Sequence, residues 1–162
     1  MIRRLHTKRD LIDCVQLLRV SFATVAKEFA LTEATAPTNP AFVTEAKLKE
    51  YLKKPVALYG LIDNDLLIGC VAIEKSKHDN NTFYIERLGV APEVRHQGYG
   101  DKLLRYAFDR IREAGGMTAS IGLMDNNDRL KEWYRTKGFA QTACKAIEHL
   151  PFKVCYMSKN LA

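Results

Sequence analysis

The stretch that decides the fold reads Phe83-Tyr84-Ile85-Glu86-Arg87-Leu88-Gly89-Val90-Ala91-Pro92 and resumes as Arg95-His96-Gln97-Gly98-Tyr99-Gly100. Its first part alternates Tyr84, Glu86 and Leu88 with Phe83, Ile85 and Arg87, a strand pattern that Pro92 stops. After the glycine turn, Leu103, Leu104, Ala107, Phe108 and Ile111 recur as the apolar stripe of a helix closed by Gly115-Gly116. Strand, tight turn and helix start thus follow one another directly. Main-chain N–H groups converge there on the positive end of a helix dipole, which favours a phosphate-type anion. Gly98 and Gly100 lack a Cβ, so an anion can come close to the main chain. Two commoner phosphate motifs are excluded: Leu103 stands where a dinucleotide fingerprint needs its third glycine, and no GxxxxGK[ST] string occurs.

Working outward toward the start of the chain, residues 56–62 and 66–73 are apolar and β-rich. Asp63-Asn64-Asp65 between them is turn chemistry, so the two runs predict a hairpin that leads through a polar link into the decisive strand. Before the hairpin, residues 41–53 predict a helix with Leu48, Tyr51 and Leu52 inward, preceded by a proline-bearing loop over 32–40. Leu11, Val15, Leu18, Phe22 and Val25 recur at helical spacing with Asp10 in the N-cap place, and residues 2–5 predict a first short strand. In the other direction, residues 118–124 predict a strand. Asp125-Asn126-Asn127-Asp128 opens a helix that holds Leu130, Trp133 and Tyr134 and stops at Gly138, and residues 140–159 predict a last hairpin around His149-Leu150-Pro151. Such alternation of strands and helices argues for a mixed α/β sheet with helices on both faces.

Composition narrows the function classes. The 162 residues, 47% of them hydrophobic, suit one domain over 1–162 with a single core. No apolar run approaches the ~20 residues a membrane helix needs, and the basic opening MIRRLHTKRD has no apolar stretch behind it, so the expectation is a cytoplasmic protein. Cys14, Cys70, Cys144 and Cys155 form no CxxC pair and read as reduced core residues, without a zinc site or a nucleophile's partner base. The formal charge of +6 favours an anionic partner, but the basic residues are scattered without interleaved aromatics, which argues against nucleic acid.

Taken together, Glu86-Arg87-Leu88-Gly89-Val90, then Arg95 to Gly100, then Asn127 with Trp133-Tyr134 and Gly138-Phe139, resembles the GNAT superfamily of N-acetyltransferases. The resemblance spans residues 83–139, the order of elements agrees elsewhere, and Met157-Ser158-Lys159-Asn160-Leu161 is similar to many of the family's C-terminal strands. It implies a single-domain, mostly antiparallel mixed sheet of about seven strands with helices on both faces. It also implies acetyl-CoA as co-substrate, with no metal. The loop of Arg95, His96, Gln97, Gly98, Tyr99, Gly100 and Asp101 would hold the diphosphate, Leu88, Gly89 and Val90 would pair with the pantetheine arm, and Asn127 would help hold that arm. Leu130 and Trp133 depart from the family's usual alanine and aliphatic residue, at the wall expected near the pantetheine.

The implied reaction moves an acetyl group to a primary amine by direct attack. A lysine-like amine has a pKa near ~10.4, so a base must collect a proton; Glu86 is the candidate, and Tyr134 is the candidate acid for the departing sulfur. The plainer readings are a solvent-facing Glu86, a packing Tyr134, and surface roles for His96 and His149. The acceptor is expected to be a small-molecule or peptide amine seated between the loop over 32–40 and the hairpin near Leu150, with no membrane partner and with a homodimer left open. The rival functions are a non-catalytic CoA-binding sensor of the same fold and, further off, a basic nucleic-acid-binding domain.

Overall fold

The computed structural model describes residues 1–162. Strand β1 (Ile2–Arg4) leads into helix α1 (Lys8–Glu28), and a 3-10 turn at Pro40–Phe42 precedes α2 (Glu45–Tyr51). Strands β2 (Val56–Asp63), β3 (Leu66–Lys75) and β4 (Thr82–Val90) form an antiparallel meander. Then come α3 (Tyr99–Glu113), β5 (Thr118–Met124), α4 (Asp128–Thr136), β6 (Ala140–Ala146) and β7 (Lys153–Asn160). One seven-stranded sheet results, in the order β1-β2-β3-β4-β5-β7-β6, antiparallel throughout except between β4 and β5. This is the mixed, mostly antiparallel α/β sheet expected from the sequence.

Each face of the sheet is covered by one pair of helices. On one side Leu103, Leu104 and Ile111 of α3 and Tyr134 of α4 pack against Val71, Ile73, Phe83, Ile85 and Ile121. On the other, Cys14, Leu17 and Leu18 of α1 and Leu48 and Tyr51 of α2 pack against Leu58, Cys70 and Ala72. A fully buried leucine contributes roughly 1.5–3 kcal/mol, so Leu18, Leu48, Leu103 and Leu104 are main terms in holding both layers. The chain between α1 and α2 closes over the end of β5, where Leu31, Ala36 and Ala41 meet Met124.

Four local expectations need correction. Helix α1 is capped by Thr7, not Asp10: the Thr7 hydroxyl accepts from the Asp10 N–H at 3.1 Å while Asp10 accepts from the Thr7 N–H at 3.0 Å, so the helix starts a turn earlier. Its buried face runs through Cys14, Leu17, Leu18 and Ser21, leaving Leu11, Val15, Phe22 and Val25 half-buried at the flanks. The predicted second helix is two pieces, because Val43 is extended and Thr44 caps α2 by accepting from the Lys47 N–H at 3.2 Å. Finally, Cys144 is not a core residue: it is exposed on the outermost strand β6, across from buried Cys155, while Cys14 and Cys70 are buried as expected.

Candidate active site

The site begins where the two parallel strands part. β4 and β5 pair at only three positions, Thr82 with Thr118, Phe83 with Ala119 and Tyr84 with Ser120. Beyond them β4 stays on β3 and β5 stays on β7, which leaves two facing strand edges with unpaired main-chain groups. The opening continues into a cleft of about 1120 Å³ whose walls include Ile85 to Leu88, Val90, Ile121 to Met124, and Val154 and Tyr156 of β7. Thr38, Asn39 and Pro40 from the loop after α1, and Phe22 and Val25 of α1 itself, close the far side, together with Phe152 from the last hairpin.

A bulge bends β4 at this opening. Ala72 pairs with Glu86 and Cys70 with Gly89, so Arg87 and Leu88 together face Val71 alone. Arg87 takes the left-handed conformation, φ 51°, and the strict alternation expected through residues 83–90 ends there. Leu88 turns to the α3 side of the sheet, whereas Glu86 stays on the α1–α2 side. Gly89 lies buried directly beneath α1, where a Cβ would come within 2.7 Å of the Ser21 hydroxyl. Arg95 fastens the same contact: its guanidinium donates to Ser21 O at 2.6 Å, to the Thr24 hydroxyl at 3.0 Å and to Val90 O at 3.2 Å. It lines the cleft and, through these bonds to α1 and β4, shapes the turn.

The turn after Arg95 has the form an anion requires. His96 and Gly98 are left-handed, with φ 63° and 86°, and Gly98 occupies the N-cap of α3 without any side chain to cap it. The first helical bond runs from the Lys102 N–H to Gly98 O, at 3.0 Å, so the N–H groups from His96 to Asp101 find no acceptor in the protein. They are free donors at a helix start, which is what binding a diphosphate needs. A Cβ on Gly98 would meet nothing within 4 Å, so the space beside it is open. Gly100, Tyr99, Asp101 and exposed His96 line the cleft, while Gln97 is exposed and does not line it. Asp101 would repel an anion, but Lys137 pairs with it at 2.8 Å and Arg105 is a second partner, and Lys137 also lines the cleft. That lysine holds the Asp101 carboxyl below its ordinary range.

Glu86 sits half-buried at the split. The Tyr51 hydroxyl donates to its Oε1 at 3.0 Å. Burial first, and then neighbouring Glu74, raise the Glu86 pKa to about 7, against the smaller opposing effects of Tyr51 and Arg87. A carboxyl that titrates near neutrality is suited to accept a proton from an incoming nucleophile. Across the cleft, Tyr134 is buried against Trp133 and Phe139, at ring-centroid distances of 4.9 and 5.3 Å. Burial raises its phenol well above the ordinary value, so it stays protonated and able to donate. Asn127 caps α4, its carboxamide oxygen accepting from the Leu130 N–H at 3.2 Å, which leaves its NH₂ as a spare donor in the cleft wall. Leu130 and Trp133 form the wall beside it.

Of the catalytic and cofactor-binding candidates singled out in the sequence, all but Gly89 and Gln97 therefore line one cleft, Glu86 and Tyr134 among them. Sequence reasoning missed Tyr51, Glu74, Arg87 and Lys137.

Comparison with known proteins agrees with this geometry. The model of the Acetyltransferase (GNAT) family matches residues 25–149. The chain is 28% identical over 130 residues to the amino-acid acetyltransferase of Pseudomonas putida (strain KT2440), covering 80% of this chain and 28% of that protein. It thus spans less than a third of that relative's length. Among solved structures, the ribosomal-protein-S18-alanine N-acetyltransferase of Escherichia coli superposes with a TM-score of 0.77 at 14% identity, over 100% of this chain and 94% of that one. The PaiA N-acetyltransferase of Thermoplasma acidophilum, in complex with coenzyme A, gives 0.71 at 18% identity, over 99% and 98%. These two likenesses concern the fold.

Proposed function

The chain belongs to the GNAT acetyltransferase family, and from that premise we propose that it transfers an acetyl group from acetyl-CoA to a primary amine by direct attack within a ternary complex. The observation that carries the reading is the parting of β4 from β5 after Tyr84 and Ser120, with Glu86 and Tyr134 both lining the gap. Acetyl-CoA supplies the activated acetyl group as a thioester. The N–H groups from His96 to Asp101 bind its diphosphate, with Lys137 adding charge. The open edge of β4 and the Asn127 NH₂ hold the amide-bearing arm, which satisfies strand groups otherwise left unpaired. Glu86 takes a proton from the amine, directly or through water, freeing the lone pair. A main-chain N–H within residues 88–90 stabilises the charge that develops on the carbonyl oxygen, as an oxyanion-hole donor does. Tyr134 gives its proton to the departing sulfur.

The acceptor is a small-molecule or peptide amine. The name of the Pseudomonas putida relative puts amino acids first in a panel of acceptors. Two measurements test the proposal: calorimetric titration with acetyl-CoA, and thiol release in the presence of that panel. Micromolar binding with acceptor-dependent release is expected; absence of binding would remove the reading, and binding without release for any amine would leave a sensor.

A further inference from the structure

Arg87 combines features that neither packing nor the proposed chemistry accounts for. It is the one residue of β4 in the left-handed region, φ 51°, a conformation strained for any residue but glycine. The bulge thereby turns its side chain onto Tyr51, with the guanidinium carbon 3.5 Å from the ring centroid. Its Nε is buried with no hydrogen-bond partner, no protein group accepts from the rest of the guanidinium, and it is missing from the ion pairs of the protein. Yet it lines the same cleft as Glu86, its neighbour in the chain. A flat, stacked arginine with spare donors is shaped to receive a carboxylate through two parallel bonds.

We infer that Arg87 binds a carboxylate of the acceptor, so that the substrate class is small free amino acids. The inference rests on the acetyl-transfer reading above and deepens it. A zwitterion carries two charges a few ångströms apart, and the adjacent Glu86 and Arg87 offer the complementary pair. The ammonium lies toward Glu86, which collects its proton, and the carboxylate lies on the terminal nitrogens of Arg87, which donate to no protein group. An amine without a carboxylate leaves those terminal donors without their partner, which is the arrangement by which a polar site rejects an analogue lacking the matching group. Glu74, beside Glu86, adds negative charge and favours the ammonium end.

The test compares kcat/KM for a set of free amino acids with that for their α-amides and for dipeptides starting with the same residue. Free acids are expected to lead both by about 10- to 100-fold, chiefly through KM. In Arg87→Met the acid-to-amide ratio falls toward one, and Arg87→Lys recovers part of it. The ratio is read because changes in the general chemistry cancel within it, and the wild-type ratio alone decides should a variant fold poorly. Equal use of acids and amides, or preference for dipeptides, would overturn the role of Arg87 while leaving acetyl transfer in place. Failure to acetylate any amine would overturn both.

Discussion

The hydroxyl of Tyr51, the last residue of α2, donates to Glu86 Oε1 on β4 at 3.0 Å, so a helix on one face of the sheet holds the carboxyl at its split. The bond favours the ionised carboxylate, while burial and Glu74 oppose it, and the balance leaves a pKa of about 7. The kcat/KM for acetyl transfer is therefore expected to rise as pH passes upward through 7. Glu86→Gln should lower it by about two to four orders of magnitude and remove that limb. Tyr51→Phe removes a group that lowers the pKa, so the limb moves to higher pH; Glu74→Gln removes a group that raises it, so the limb moves lower. A pH–rate profile that ignored both neighbours would exclude Glu86 as the titrating base. The sign for folding is opposite: the folded state holds its proton between the ordinary value of 4.5 and about 7, so the stability Glu86 contributes declines across that window as pH rises.

Tyr134 has one chemical task in the proposed reaction, to protonate the leaving sulfur, and one structural task, to pack between Trp133 and Phe139. Tyr134→Phe keeps the ring and removes the proton. Turnover is expected to fall by about one to two orders of magnitude with acetyl-CoA affinity little changed. Steady-state kinetics alongside calorimetry checks this, and unaltered turnover would take Tyr134 out of the mechanism.

Gly98 and Gly115 form a natural control pair. Both are left-handed, φ 86° and 84°, and a Cβ on either meets nothing within 4 Å, but only Gly98 lines the cleft. A valine at either position bears the same backbone strain, roughly 1–2 kcal/mol, read as a lowered melting temperature. Only Gly98→Val is expected to weaken CoA binding, by at least about tenfold, because its side chain enters the space beside the free N–H groups. Similar CoA affinity in the two variants would contradict the placement of the diphosphate.

How far the sequence could be read follows from the range of each interaction. The strand, glycine turn and helix over 82–113 are set by alternation, φ-permissive glycines and a 3.6-residue period, all within one stretch, and so were legible. Glu86 and Tyr134 stood out as candidates because they belong to a family pattern, and both line the cleft. Tyr51 lies 35 residues from Glu86, and Lys137 meets Asp101 only because α4 docks beside α3. No local pattern encodes such meetings. The bulge at Arg87 was hidden for a different reason: residues 83–90 alternate well enough to read as regular, and the extra residue appears only when β3 sets the register. The start of α1 was ambiguous because Thr7 and Asp10 are both capping types, and only their reciprocal bonds show which of them begins the helix.

That reciprocal pair supports the last prediction. Asp10 is buried, and its carboxylate accepts from the Arg3 guanidinium at 2.8 and 3.0 Å and from the N–H groups of His6 and Thr7 at 3.0 Å. These donors, Arg3 first, hold its pKa well below the ordinary carboxylate range. Because Arg3 is partly exposed, the ion pair is screened, and the main loss on substitution is the unpaired donors at the helix start. Asp10→Ala is expected to destabilise the protein by about 1–3 kcal/mol at neutral pH, measured by chemical unfolding. A depressed carboxyl pKa stabilises the folded state above the unfolded value, and that contribution is lost as pH falls toward the folded one. The gap between wild type and Asp10→Ala should therefore be widest at neutral pH and narrow steadily below about pH 4. A gap independent of pH would mean that Asp10 acts through packing rather than through charge.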